Sequence, residues 1–204
     1  QKLNVVFAMD RGGVVGADGP THHGVFDLAY LRCVPNLVVM APSNESELER
    51  MLATSLAYDE GPIALRYPRG NGTGVEVADV AEPLPIGKAA ILHEGRDILF
   101  LGLGSGANVA MDVACQLREN GDLDPTVIDA RFLKPLDEEL IVGLAARHQL
   151  VCTFEEGTVR GGFGSAVLEL MHERMAEVPA TRVFGLPDHF LAHGTPDEVL
   201  AEAG

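Results

Sequence analysis

The segment from Asp10 to Gly24, DRGGVVGADGPTHHG, brings five glycines, two acids, an arginine and two adjacent histidines into fifteen positions. Histidine exchanges protons near neutral pH, and a carboxylate four residues before it, Asp18 before His22, can orient or polarise the ring. Glycine lets backbone approach a bound molecule closely. Acid–base chemistry on a small ligand is the functional reading. Beside it stands a tight loop in which His22 and His23 only hydrogen-bond to backbone. A metal site from Asp18, His22 and His23 is a third option, weakened because adjacent residues rarely face one ion and no distant ligand announces itself.

Three further motifs carry chemistry of their own. Arg66-Tyr67-Pro68-Arg69-Gly70 closes a strand-like run, and two arginines at a sheet edge can fork onto a phosphate or carboxylate. A surface pair making weak salt bridges is the plainer account. Gly102-Leu103-Gly104-Ser105-Gly106-Ala107, followed by Asp129, satisfies a dinucleotide fingerprint, though a tight strand-to-helix turn needs the same glycines with no ligand. Glu155-Glu156 followed by Gly161-Gly162-Phe163-Gly164 places acids at a strand end and glycines at a helix start, where an anion can bind. Close packing of that helix against a neighbour explains the same glycines. His189 and His193 read as surface or interface residues.

These residues need a scaffold, and hydrophobic periodicity supplies one. LNVVFAM (3–9), LVVMAP (37–42) and IALRYP (63–68) are buried-strand candidates, and Ser43-Asn44-Glu45 opens a helix with apolar positions recurring to Tyr58. Residues 71–85 hold glycines and prolines without a period and read as a linker. The pattern then restarts with strands at GKAAILHEG, DILFLGLG, PTVIDARFL, LVCTFEE and TRVFGLP. Between and after them lie helices over about 106–119, from Asp137 to about 147, over about 162–174, and from Pro196. Alternating strands and helices predict parallel sheets covered on both faces. The first unit has few strands for a stable sheet and reads as half a domain. The chain opens on Gln1 and enters an apolar run almost at once, which reads as a piece of something longer.

Composition narrows the partners. The 204 residues are 47% hydrophobic, enough for a sizeable core. Thirty acids against 15 Lys and Arg give a net charge of −15, which repels nucleic acid and anionic lipid. An anionic substrate then requires a local positive pocket. Cys33, Cys115 and Cys152 are widely spaced within apolar sequence and read as reduced core thiols. No run is long enough for a membrane helix and no secretion signal is visible, so a cytoplasmic home is expected.

Taken together, GADGPTHHG, RYPRGNG, FLKPLD and GGFGSAV make the whole chain resemble the C-terminal part of the 1-deoxy-D-xylulose-5-phosphate synthase family, thiamine-diphosphate enzymes of the transketolase superfamily. The resemblance implies an α/β fold in which residues 1–70 are the second half of a pyrimidine-binding domain. Residues 71–85 would then be a linker, and 86–204 the transketolase C-terminal domain. It also implies condensation of pyruvate with D-glyceraldehyde 3-phosphate, with loss of carbon dioxide, at the head of an isoprenoid route that also feeds thiamine synthesis. Thiamine diphosphate and Mg2+ would be the cofactors, in a homodimer. By motif, Arg11 and Arg69 match the arginines that hold the acceptor's phosphate, and Asp18 and His22 match the pair that assists proton transfer. The family's metal motif and aminopyrimidine-activating glutamate belong upstream of Gln1, so the chain alone is expected to be inactive. The resemblance also sets aside the nucleotide reading of Gly102–Ala107. A non-catalytic dimerising module of the same fold is the alternative.

Overall fold

The computed structural model describes residues 2–121 and 123–203; Gln1 and Gly204, the outer limits of the two expected units, lie outside them. Apolar runs and capping signals become elements much as their spacing predicts. The first unit holds β1 (Val6–Met9), α1 (Asp27–Arg32), β2 (Val38–Met40), α2 (Glu45–Ala57) and β3 (Ile63–Arg66). Asn44 caps α2 through its side chain, which accepts from the Glu47 N–H at 3.0 Å. Helix α1 carried no periodic signal in the sequence. It is a single short stretch whose inner face, Leu28 and Leu31, joins the core.

The second unit holds β4 (Ala90–His93), β5 (Leu99–Leu103), α3 (Ser105–Glu119), β6 (Thr126–Asp129), β7 (Phe132–Lys134), α4 (Glu138–Ala145), β8 (Leu150–Thr158), α5 (Phe163–Arg174), β9 (Ala180–Leu186) and α6 (Pro196–Ala203). Five of these strands form a sheet in the order β4-β6-β5-β8-β9, parallel except for β4.

The run PTVIDARFL, read as one strand, is two. Asp129 accepts the Arg131 N–H on its side chain at 2.9 Å, and Arg131 takes a left-handed φ of 57°, which turns the chain sharply after β6. Strand β7 then leaves its own sheet and pairs antiparallel with β2, giving the first sheet the order β1-β3-β2-β7. The second unit thus completes the first unit's sheet.

One core spans both units. Leu28, Leu37, Val39 and Ala64 pack in the same cluster as Leu101, Ile128, Phe163 and Val167. The expected linker is pinned at both ends. The Glu45 carboxylate accepts from the Thr73 N–H, the Thr73 hydroxyl and the Gly74 N–H, and buried Leu84 donates its N–H to Thr54 Oγ1 at 2.7 Å.

Two burial expectations fail. Strand β1, expected to be buried, is open: it has one strand neighbour, β3, and Phe7 is 47% exposed. Of the three thiols, all free, Cys152 is buried and Cys115 half-buried, whereas Cys33 is exposed, because it follows α1 directly where the chain leaves the core. Among the described residues, no helix is long and apolar enough to cross a membrane.

Candidate functional site

Strand β1 delivers the glycine-rich loop to the carboxyl edge of the first sheet, where α/β proteins place ligands. The loop is closed as a ring. Gly13 and Gly24 exchange N–H···O=C bonds at 3.0 and 2.9 Å, and Gly12 donates to Tyr67 O at 2.9 Å. Gly24 must be glycine, since a Cβ there would stand 2.2 Å from Arg11 O. One wall of the ring is anchored from the second unit by Glu156, whose carboxylate accepts the Val14 N–H at 2.7 Å.

At the open side, Arg11, Asp18 and Arg69 meet. Asp18 Oδ2 accepts from Arg11 Nε at 3.1 Å and from Arg69 at 2.6 Å, while Asp10 takes a second Arg11 nitrogen at 2.7 Å. The hydrogen bond from Arg11, followed by that from Arg69, holds the Asp18 carboxyl below its ordinary range. Asp18 in turn keeps the Arg11 guanidinium more firmly protonated, with the charge of Asp10 assisting. The cluster is accessible, with the Arg69 side chain 54% exposed. It is a ready-made pair of guanidinium groups whose present acceptor is an internal carboxylate.

The structure separates the fourth expected residue from these three. His22 is exposed, and its Nδ1 lies 3.0 Å from Thr21 Oγ1, so the carboxylate-held histidine anticipated from the spacing does not form. The carboxylate of Asp18 is taken by two guanidinium groups, stronger partners than a neutral imidazole. His23 turns inward, where its Nδ1 accepts from the Val15 N–H at 3.0 Å and its Nε2 stands 3.4 Å from Ala192 O. No group of three or more His, Cys, Asp or Glu among the described residues is placed to hold a metal ion, so Asp18, His22 and His23 do not converge on one.

The remaining motifs are structural. Arg66, read as half of an arginine pair with Arg69, is 1% exposed. Its Nε donates to Asp27 at 2.9 Å, and its Nη2 donates to Gly24 O at 3.2 Å and Glu156 O at 2.6 Å. Burial pushes Asp27 up against the opposing charge of Arg66. The α5 N-terminus does receive an anion, the chain's own Glu155, whose carboxylate accepts from the Phe163 and Gly164 N–H groups, both at 2.8 Å. The Gly102–Ala107 glycines serve packing: a Cβ on Gly102 would meet Ala107 Cα at 2.2 Å, and one on Gly106 would meet Phe154 O at 2.2 Å. Asp129 is bonded at 2.7 Å by the Ser43 hydroxyl across the seam between units, and burial pushes it up to about 6. The seam contacts of Asp27, Ser43, Glu47 and Arg131 had no signal in the sequence, because they run between distant segments.

Comparison with known proteins relates the chain to one family. The family model for the transketolase C-terminal domain matches residues 87–204, and that for the transketolase pyrimidine binding domain matches residues 1–74. The chain is similar to the 1-deoxy-D-xylulose-5-phosphate synthases of Rippkaea orientalis (54% identical) and Gloeothece citriformis (55%), covering 100% of this chain and 32% of each relative. It therefore spans about a third of the length of the curated relatives it matches. A split gene transketolase, solved as an inactive beta4 tetramer, is 32% identical with a TM-score of 0.87, covering 100% of this chain and 63% of that one. A transketolase from Campylobacter jejuni, 18% identical with a TM-score of 0.70 over 98% of this chain and 29% of its own, shares the fold.

Proposed function

The chain belongs to the transketolase family, and from that premise we propose that it is the C-terminal portion of a 1-deoxy-D-xylulose-5-phosphate synthase, which joins pyruvate to D-glyceraldehyde 3-phosphate with release of carbon dioxide. The observation that carries this reading is the identity of about 54% over the whole chain with synthases of that name. The units divide at 1–70, 71–85 and 86–204. The assembled enzyme is a cytoplasmic homodimer that uses thiamine diphosphate and Mg2+.

Each residue of the cluster then has work that its chemistry suits. Arg11 and Arg69 hold the phosphate of the acceptor aldehyde, giving the local positive pocket that an acidic molecule needs for an anionic substrate. Asp18 keeps both guanidinium groups aimed while the pocket is empty, and it competes with the incoming phosphate for the same N–H donors. His22, exposed at the loop tip, supplies a proton to the aldehyde oxygen as the carbon–carbon bond forms.

When bound, thiamine diphosphate would supply the electron sink that lets the pyruvate-derived carbon act as a nucleophile once carbon dioxide leaves. The guanidinium groups assembled here suit the phosphate of a substrate, and among the described residues no three metal-ligating side chains converge, so the metal and diphosphate of the cofactor would be held by residues upstream of this chain.

The test is reconstitution. Calorimetric titration of this chain alone with thiamine diphosphate and Mg2+ is expected to give no heat of binding, and supply of the missing two-thirds of the enzyme restores binding and turnover. A chain that dimerises yet never supports binding after complementation would overturn the reading in favour of a non-catalytic module. Within the complete enzyme, His22→Ala lowers kcat by roughly 10²- to 10⁴-fold with the fold intact. Unchanged turnover removes His22 from the mechanism.

A further inference from the structure

Arg11 is held in a backbone conformation that its own side chain disfavours. Its φ is 59°, in the left-handed region where a residue with a Cβ is strained, and such a conformation persists only where its surroundings fix it. The fixing bonds lie on the four residues that follow. Gly12 donates its N–H to Tyr67 O, Gly13 to Gly24 O, Val14 to Glu156 Oε1 and Val15 to His23 Nδ1. Three of these acceptors belong to the first unit. The fourth, Glu156, is 142 residues from Val14, in β8, and is the one acceptor of the set supplied by the second unit.

Glu156 is itself clamped. Its other carboxylate oxygen accepts from the Ser105 hydroxyl at the start of α3, and its backbone carbonyl accepts from Arg66 Nη2 at 2.6 Å. Its side chain lies against the backbone of Gly13, where a Cβ would stand 2.3 Å from the carboxyl group, so the loop passes Glu156 only with glycine at that point. The clamp therefore runs from the β5–α3 turn, through one carboxylate, to the limb of the loop that carries Arg11. Among the described residues the Glu156 carboxylate bonds to an amide and a hydroxyl, both neutral. What the arrangement needs at this position is acceptor geometry, which the oxygen of a glutamine also offers to Val14.

From this geometry we infer that Glu156 is a positioning residue for the phosphate of the acceptor aldehyde, acting through Val14 on Arg11 and, by way of Asp18, on Arg69. With the Val14 N–H released, the limb relaxes, Arg11 leaves its left-handed φ, and the two guanidinium groups no longer converge on one acceptor. Ser105, which holds the carboxylate from the far side, acts in the same direction with a smaller effect. The inference rests on the phosphate-holding role proposed for Arg11 and Arg69. It adds the reason why the second unit, which contributes none of the cluster's side chains, is needed to shape the first unit's site.

The test is steady-state kinetics of the complete enzyme at saturating pyruvate, with D-glyceraldehyde 3-phosphate or D-glyceraldehyde, which lacks the phosphate, as acceptor. In Glu156→Ala the KM for the phosphorylated aldehyde is expected to rise about tenfold with kcat within about threefold of the parent, while kcat/KM for D-glyceraldehyde changes less than about threefold. Glu156→Gln recovers most of the loss. Ser105→Ala raises the same KM about threefold, and circular dichroism checks the fold of each variant. Equal losses with both acceptors would mark a merely structural role and overturn the inference, as would a Glu156→Gln enzyme no better than Glu156→Ala. If Glu156→Ala does not fold, Ser105→Ala decides, and an unaltered preference for the phosphorylated acceptor overturns the inference. Arg69→Gln separates the two readings: if it alone loses the preference, only the role of Glu156 falls, and if it keeps the preference, the phosphate role falls and the inference with it.

Discussion

Two clusters of arginine and carboxylate, one at the seam between the units and one at the mouth of the glycine-rich loop, use the same side chains to opposite ends. At the seam, Arg66 is desolvated against Asp27 and two carbonyls, and Arg131 pairs with Glu47 across the units at 2.7 Å. At the loop, Arg11 and Arg69 share Asp18 in contact with water. Removing one partner from a buried pair leaves an uncompensated charge, whereas exposed pairs contribute about 0–1 kcal/mol because water replaces the lost partner. The seam therefore cannot exchange its partners and acts as a rivet. The loop cluster can exchange Asp18 for a ligand at small cost, and that makes it suited to recognition.

This contrast can be broken by mutation. Arg66→Met should destabilise the chain by about 3–5 kcal/mol, read from the urea unfolding midpoint, because Asp27, Gly24 O and Glu156 O lose their donor in the interior. A loss below 1 kcal/mol would remove the distinction between the clusters. Glu155→Ala leaves the Phe163 and Gly164 N–H groups buried without an acceptor and should cost about 2–3 kcal/mol in the same assay.

Proton linkage sharpens the contrast, since the two clusters shift their acids in opposite directions. Asp129 at the seam is raised to about 6, so the native state binds its proton more tightly than the unfolded chain does. The stability this contributes is fully present below pH 4 and is lost as pH rises through about 6, with a slope of at most about 1.4 kcal/mol per pH unit. Asp129→Asn should abolish that slope in unfolding measurements between pH 4 and 7, whereas persistence of the slope would place its origin elsewhere. Asp18 is lowered, so its contribution runs the other way, present above the unfolded value and lost as pH falls. The smallest effect is expected at Arg69. Arg69→Gln should leave the unfolding midpoint within about 0.5 kcal/mol of the parent while weakening acceptor phosphate binding in the assembled enzyme.

How much of this was legible in the residues depended on the range of the interactions involved. Asn44 capping α2, Asp137 opening α4 and the period of α3 are local, and their elements appear where the spacing puts them. Arg66 and Arg69 show the limit. They are three residues apart at one strand end, yet one faces the core and the other the solvent. Likewise, glycines and acids around Glu155 signal an anion at a helix start, but only the fold reveals that the anion is Glu155 itself. The glycine-rich loop announced a site, and Asp18 was among its candidates. That Asp18 joins Arg69 rather than His22 follows from the loop's closure at Gly13 and Gly24, which carries the tip back over the end of β3.

The sequence by itself determined the α/β alternation, the family and the polar residues of the loop, because helix and strand periodicity, capping and motif spacing act over a few residues. The tertiary structure decided that β7 crosses into the first sheet, that β1 stays open on one side, and which charges are rivets and which are receptors. These outcomes depend on desolvation and on partners many residues away, such as Asp27 with Arg66 and Ser43 with Asp129, and a side chain's surroundings are settled only when distant segments pack.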